Sequence, residues 1–298
     1  MKTGLIRSQI LSILLKLDSI VGIPFRLMGL KIVLGNLRNL YLPKIIRVSS
    51  FRRELQSLFL SLKPRTNGFE LLRIGGDGDG GYLVPGDLEN IEACFSAGSD
   101  KVMLFESHLA QNYSIKSYIL DKIEKKPAEL TDLQIYREGW LGITTDKETV
   151  TLEDWLMETN LDKSADLILQ MDIEGAEYPT LLNTSPAVLE RFRIIVIEFH
   201  GLDYFMNYND FKNLYSPVFE KLLDCFDVVH FHANNCCGNW RVQDFDFPKV
   251  VEITFHRKDR RLRVLEDAIT PNALDRKNIS TNSDIQVEWK LIASQHKM

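Results

Sequence analysis

Leu167-Ile-Leu-Gln-Met-Asp-Ile-Glu-Gly-Ala-Glu177 changes character halfway along. Leu167 to Met171 is an apolar run of the kind that forms a buried strand of a parallel sheet. Asp172, Glu174 and Glu177 then put three carboxylates within six residues, around Gly175. Ala176 to Leu182 reads as the first turns of a helix. The acids therefore fall where a parallel strand ends and a helix begins, the edge at which open α/β sheets bind ligands. Clustered carboxylates repel one another, and a purely structural turn has no need of three. Glu174 and Glu177 would also suit a helix N-terminus, where acids are favoured. Asp172, which ends the strand, fits that explanation less well.

Upstream, Ala93-Cys-Phe-Ser96 is a strand, Ala97 to Asp100 a turn and Val102 to Asn112 a helix. Gly98, directly after the strand, permits close approach of a cofactor to the backbone. Ser117 to Leu120 is the next strand. It ends at Asp121, which lies 23 residues after Gly98. That is near the ~20-residue offset at which an acid meets a ribose hydroxyl in nucleotide-binding α/β folds. Leu133 to Tyr136 is a third strand, and Thr151 to Thr159 is a helix that opens with a capping pattern.

Downstream, Arg193 to Glu198 is a buried strand running into Glu198-Phe-His200-Gly201. Phe211 to Cys225 is a helix. Asp227 to His232 alternates as a strand and leads into Ala233-Asn234-Asn235, and Lys249 to His256 is the last strand. The loop between the final two strands has no room for a helix, so these strands pair antiparallel. The fold expected is α/β, with a Rossmann-like, seven-stranded, mostly parallel sheet and an antiparallel last strand. That is the class I S-adenosylmethionine-dependent methyltransferase architecture.

With 298 residues the chain has room for one large α/β domain with extensions, or two smaller domains. Its 45% hydrophobic and 26% charged residues place it among ordinary globular proteins. The four cysteines, Cys94, Cys225, Cys236 and Cys237, form no C-x-x-C pair, so no zinc site is indicated. Cys236 and Cys237 are adjacent, a poor arrangement for a disulfide, and a reducing, cytoplasmic setting is expected.

Charge is uneven. Residues 1–63 carry eleven Lys or Arg against Asp18 and Glu54, about +9, and the net charge of −5 leaves about −14 elsewhere. The main domain is therefore not expected to bind nucleic acid. Residues 1–65 read as a basic, amphipathic helical extension, and residues 66–298 as the main domain. Lys16, Asp18 and Pro24 interrupt the apolar runs before a spanning length of roughly 18 residues is reached. The extension either caps the domain or lies peripherally on an anionic membrane at its inner face, through residues 1–63.

Leu72 to Val84 contains five glycines and two aspartates between residues 75 and 81. Gly76, Gly78 and Gly81 satisfy G-x-G-x-x-G by count. A strand-like Tyr82-Leu-Val follows rather than a helix, so this is not the dinucleotide fingerprint. It also fails as a calcium loop, since Gly81 and Leu88 occupy ligand positions. A Gly-rich hairpin is the plain reading. The functional one places Asp79, Gly80, Gly81 and Tyr82 at a pocket mouth, where glycines let backbone approach a ligand.

Several motifs together resemble the FkbM-type methyltransferases. They are Asp79-Gly-Gly-Tyr82, Phe95-Ser-Ala-Gly-Ser-Asp100 with Phe105-Glu106, Met171-Asp-Ile-Glu-Gly-Ala-Glu177, Ile197-Glu-Phe-His200 and His230-Phe-His-Ala-Asn-Asn235. Pro271-Asn-Ala-Leu-Asp-Arg276 resembles the tail of such proteins. The resemblance covers about 70 to 280, and Asp-x-Glu-Gly-Ala-Glu is its most specific part. The first glycine motif departs from the usual Asp-x-Gly-x-x-x-Gly, having a single Gly98.

The resemblance implies methyl transfer from S-adenosylmethionine to a hydroxyl of a sugar, glycan or similar metabolite. Ser96, Gly98, Asp121 and Asp172 are the expected cofactor site. A sugar hydroxyl is a weak nucleophile and benefits from a base or a metal. His200, assisted by Glu198, His230 and His232, is the expected catalytic group. Asp172, Glu198 and His200 are candidate ligands for magnesium or manganese. Glu174 and Asn234 are expected to border the acceptor. Two rivals use the same residues: a metal-dependent glycan hydrolase, and a non-catalytic binding module attached to a membrane.

Overall fold

The computed structural model describes residues 50–99, 102–122, 130–242 and 245–296. Most of the basic extension, with its cap and membrane readings, lies outside the described residues. Leu55 to Met298 forms one compact unit. Within it Leu55, Leu58, Phe59 and Leu62 are buried, and the Phe59 ring stacks on Phe247 with centroids 3.9 Å apart. Among the described residues no helix is long and apolar enough to cross a membrane.

The central sheet has seven strands: β1 Ile91–Ala97, β2 Lys116–Asp121, β3 Gln134–Glu138, β4 Asp166–Met171, β5 Phe192–Phe199, β6 Phe226–Ala233 and β7 Val251–Arg257. Their spatial order is β6-β7-β5-β4-β1-β2-β3. The neighbours from β5 through β3 pair parallel, while β7 runs antiparallel to both β5 and β6. This is the expected sheet. The order reverses at β1 and β4, so their carboxyl ends form the crevice in which such folds bind ligands. β5 is buried along its whole length, as its unbroken apolar run requires.

Alternation sorts the side chains onto two faces. Phe95 meets Trp155 of helix α2 (Leu152–Glu158) on one face. On that face Phe199 also meets Tyr178 of α3 (Glu177–Asn183) and Phe219 of α4 (Ser216–Cys225). Cys94, Ile168, Ile194 and Val196 pack on the other face. Above them lie α1 (Leu104–Tyr113) and a hairpin that pairs Leu71–Ile74 with Tyr82–Pro85. The capping pattern at Thr151 is realised: its Oγ1 accepts from Asp154 N at 3.2 Å. The helix expected from Phe211 is wound as a π-turn over Phe211–Tyr215 before α4 begins. The junction is marked by Pro217, which has no N–H for a helical bond.

The connection from β6 to β7 holds a second hairpin, Asn239–Val242 with Phe245–Pro248, and no helix among its described residues. The cysteine expectation needs correction here. Cys236 and Cys237 form a vicinal disulfide at the start of this connection. The turn after Asn234, whose side-chain Oδ1 takes the Cys236 N–H at 2.8 Å, places the two sulfurs together.

Candidate active site

The strand register builds the site. Ser96, Gln170, Val196, Thr254 and His230 stand side by side across β1, β4, β5, β7 and β6. Two residues nearer the ligand-binding edge, Glu198, Glu252 and His232 form the next row. Asp172 follows Gln170 by the same two-residue step. Burial of this polar face is completed by the Gly-rich hairpin, whose Leu83 carbonyl accepts from Thr254 Oγ1 at 2.6 Å.

The turn after β4 explains the spacing of its acids. Glu174 and Gly175 both adopt positive φ, at 56° and 101°. The Ile173 and Gly175 amides then converge on Glu177 Oε1, each at 3.1 Å. Glu177 is fully buried and so closes its own turn. The same Oε1 lies 3.1 Å from His200 Nδ1. As an acceptor of two N–H groups, this carboxylate assigns the Nδ1 proton to the imidazole, which leaves Nε2 as the acceptor. Nε2 stands 3.5 Å from Glu174, 3.6 Å from Glu198 and 3.9 Å from Asp172.

These groups perturb one another. Burial pushes the Asp172 carboxyl up to about 7, opposed by His200 and reinforced by Glu174, Glu177 and Asp79. Burial raises Glu198 to about 10, with the charges of Asp172, Glu252 and Asp79 adding to it. Burial also raises Glu252, against the pull of His232 and the Asn278 amide. Burial alone would lower His200, but the Glu177 hydrogen bond and the charges of Glu177, Asp172 and Glu174 raise it. Perturbed groups gathered at a sheet's carboxyl edge are the mark of a functional site.

The expected residues fall into four places. Asp172, Glu174, Glu198 and His200 meet as expected, with Glu177 as the partner that sequence reasoning did not assign. Asn234 joins them, its Nδ2 donating to Glu198 Oε1 at 2.9 Å. His230 and His232 share a face, but they turn to the C-terminal tail. His230 Nε2 lies 2.8 Å from Asp275, and His232 Nε2 3.1 Å from Asn278. Burial alone would raise the Asp275 carboxyl, but His230 and His232, whose Nδ1 lies 3.8 Å from it, hold it well below the usual carboxylate range.

On the cofactor side, Ser96 is buried, its hydroxyl shared between Glu106 and Gln170. At Gly98, φ is +72° and a Cβ would stand 1.6 Å from the Asp172 carbonyl oxygen. The glycine is thus demanded by the close packing of the β1 and β4 ends. Asp121 accepts from Ser99 N at 3.1 Å and Lys122 N at 2.6 Å. Beside it, the buried Ser99 Oγ has no partner among the described residues. A partly exposed carboxylate that accepts and an orphan hydroxyl beside it are groups that a ribose diol can engage, so the turn fits a nucleoside cofactor.

In the hairpin loop Asp79 is exposed and points to the site through Asn278, at 3.0 Å. Tyr82 packs its ring in the core against Phe105, while its hydroxyl faces Gln170 and the charges of Asp172, Glu198 and Glu252. Gly80 and Gly81 shape the loop, and a Cβ on Gly81 would meet Gly76 O at 2.1 Å. Glu252 was missed. The signal was the alternation Glu252, Thr254, His256 in the last strand, which marks one polar face.

No curated protein matches the chain. Residues 88–232 match the methyltransferase FkbM domain, which spans β1 to β6 and includes Gly98, Asp121, Asp172, Glu177, Glu198 and His200. S-adenosylmethionine is the usual cofactor of methyltransferases. With its sheet order, its strand-end turns and this match in agreement, the segment 88–232 belongs to the FkbM methyltransferase family.

Proposed function

We propose that this protein transfers a methyl group from S-adenosylmethionine to a hydroxyl oxygen of a sugar, glycan or similar small acceptor. The observation that carries the reading is the Glu177–His200 pair. Glu177 fixes the imidazole with its Nδ1 proton inward, so Nε2, beside Glu174 and Glu198, is the acceptor when the ring is neutral. Such an oriented imidazole takes the proton from an acceptor hydroxyl as the oxygen attacks. Glu177, Asp172 and Glu174 favour the imidazolium that results. When bound, S-adenosylmethionine supplies a methyl group already activated by its sulfonium. Gly98, Ser99 and Asp121 would hold the cofactor, with Asp172 bordering it, and the protein's main work is to position the two reactants.

Transfer of labelled methyl to a panel of deoxysugars and glycans tests this reading. His200→Ala should lower turnover about 10²–10⁴-fold while leaving cofactor affinity nearly intact. Chelator should leave the His200-dependent step in place. Loss of turnover on chelation, restored by magnesium or manganese, would instead make His200, Asp172 and Glu198 metal ligands. Turnover at the parental rate in His200→Ala would make this histidine structural. A glycan hydrolase or a binding module would show no methyl transfer. Residues 1–63 are proposed to contact an anionic membrane surface or a lipid-linked acceptor, on the strength of their charge of about +9. Lipid-dependent sedimentation at low salt, lost at high salt, is the expected result.

A further inference from the structure

Glu198 and Glu252 stand directly opposite one another in the β5–β7 ladder. Like charges in that position destabilise a sheet. With Asp79 they bring one oxygen each to within 4.8 Å of the others, a spacing that a single oxygen-ligated ion can span. Glu198 supplies a second observation. Its side chain is only 6% exposed, and Oε2 is buried with no hydrogen-bond partner among the described residues. An oxygen in that condition is costly unless something is bound there.

The surroundings brace these carboxylates. Asn234 donates to Glu198 Oε1 at 2.9 Å, and Asn278 donates to Glu252 Oε1 at 2.6 Å and to Asp79 at 3.0 Å. Carboxylates that ligate metals are held by such outer hydrogen bonds. The nearby Arg73 directs Nε to Gly76 O and Nη2 to Gly78 O, so it shapes the loop rather than pairing with Glu252. Exposure of Asp79 leaves a route from solvent.

We propose that Asp79, Glu198 and Glu252 bind one hard divalent cation, magnesium or manganese, at a site distinct from His200. An all-carboxylate donor set selects such ions over soft ones. The site goes beyond the methyl-transfer reading and does not depend on it.

Titration of the full-length protein with manganese alone, followed by the electron paramagnetic resonance signal of the free ion, tests the proposal. One ion per chain is expected. Glu252→Gln and Asp79→Asn should each weaken binding by about tenfold or more. His200→Ala should keep the parental affinity. Asp79 lies on an exposed loop, so Asp79→Asn remains informative even where Glu252→Gln folds poorly. Absence of binding at millimolar manganese, binding indifferent to Asp79→Asn, or binding lost in His200→Ala would each overturn the site. Neither cofactor nor acceptor is present, so failure here is separate from failure of methyl transfer.

Discussion

Two groups of buried acids sit at opposite ends of the same strands and are treated in opposite ways. At the amino edge, Asp87 meets Arg260 at 2.7 and 2.8 Å, His256 at 3.1 Å and Arg193 at 3.3 Å. Burial would raise its carboxyl, but the Arg260 hydrogen bonds and the charge of Arg193 hold it below the usual range. At the carboxyl edge, Glu198 and Glu252 are buried and Asp172 half-buried, yet burial prevails and all three are raised. No arginine pairs with them among the described residues. A buried acid that serves the fold is paired. Acids left without arginine partners weaken the fold, and their presence at a ligand-binding edge points to chemistry.

The contrast can be broken first at its paired end. Asp87→Ala should lower the free energy of unfolding by about 2–4 kcal/mol, since Arg260, His256 and Arg193 lose the acid they share, although Arg193 keeps Asp166. Urea denaturation reads this directly, and a loss below about 1 kcal/mol would deny the hub its structural role. The hub also sets an acid limit. Burial lowers His256, and Asp87 is lowered too, so both bind protons more readily in the unfolded chain. Stability should therefore fall as pH drops below about 6.5, and again below about 4, and be retained above. Melting temperature against pH measures it, and Asp87→Ala should flatten the lower step.

The cofactor side comes next. Asp121→Ala should weaken S-adenosylmethionine binding by about 1–3 kcal/mol through loss of a ribose hydrogen bond. Unchanged affinity would leave Asp121 as no more than the partner of Ser99 N. The smallest expected effect lies at the unpaired end. Glu198→Gln, measured with chelator present, should raise stability by about 0.5–2 kcal/mol, because the variant buries no unpaired carboxylate oxygen. A large loss of stability there would erase the difference between the two edges.

Much of the sheet was readable in the sequence because β4 and β5 are unbroken apolar runs and β6 alternates. The acids after β4 announced a strand-end site for the same reason: nothing local explains Asp172. What could not be read was pairing at a distance. Glu177 looked like one more acid of the cluster, and only the fold shows it closing its own turn and holding His200. His230 and His232 looked catalytic, but their partners, Asp275 and Asn278, lie in an irregular tail whose course no periodicity predicts. Ser96 looked exposed to a cofactor until α1 brought Glu106 over it. Asp87 drew no attention because its cations come from β5 and from beyond β7.

Isothermal titration of the full-length protein with S-adenosylmethionine, and then with S-adenosylhomocysteine, tests the central claim most directly. One saturable site per chain for each ligand is predicted, competing with one another and weakened together by Asp121→Ala. A folded protein that binds neither ligand at any accessible concentration would contradict the account of the carboxyl edge as a methyltransferase site.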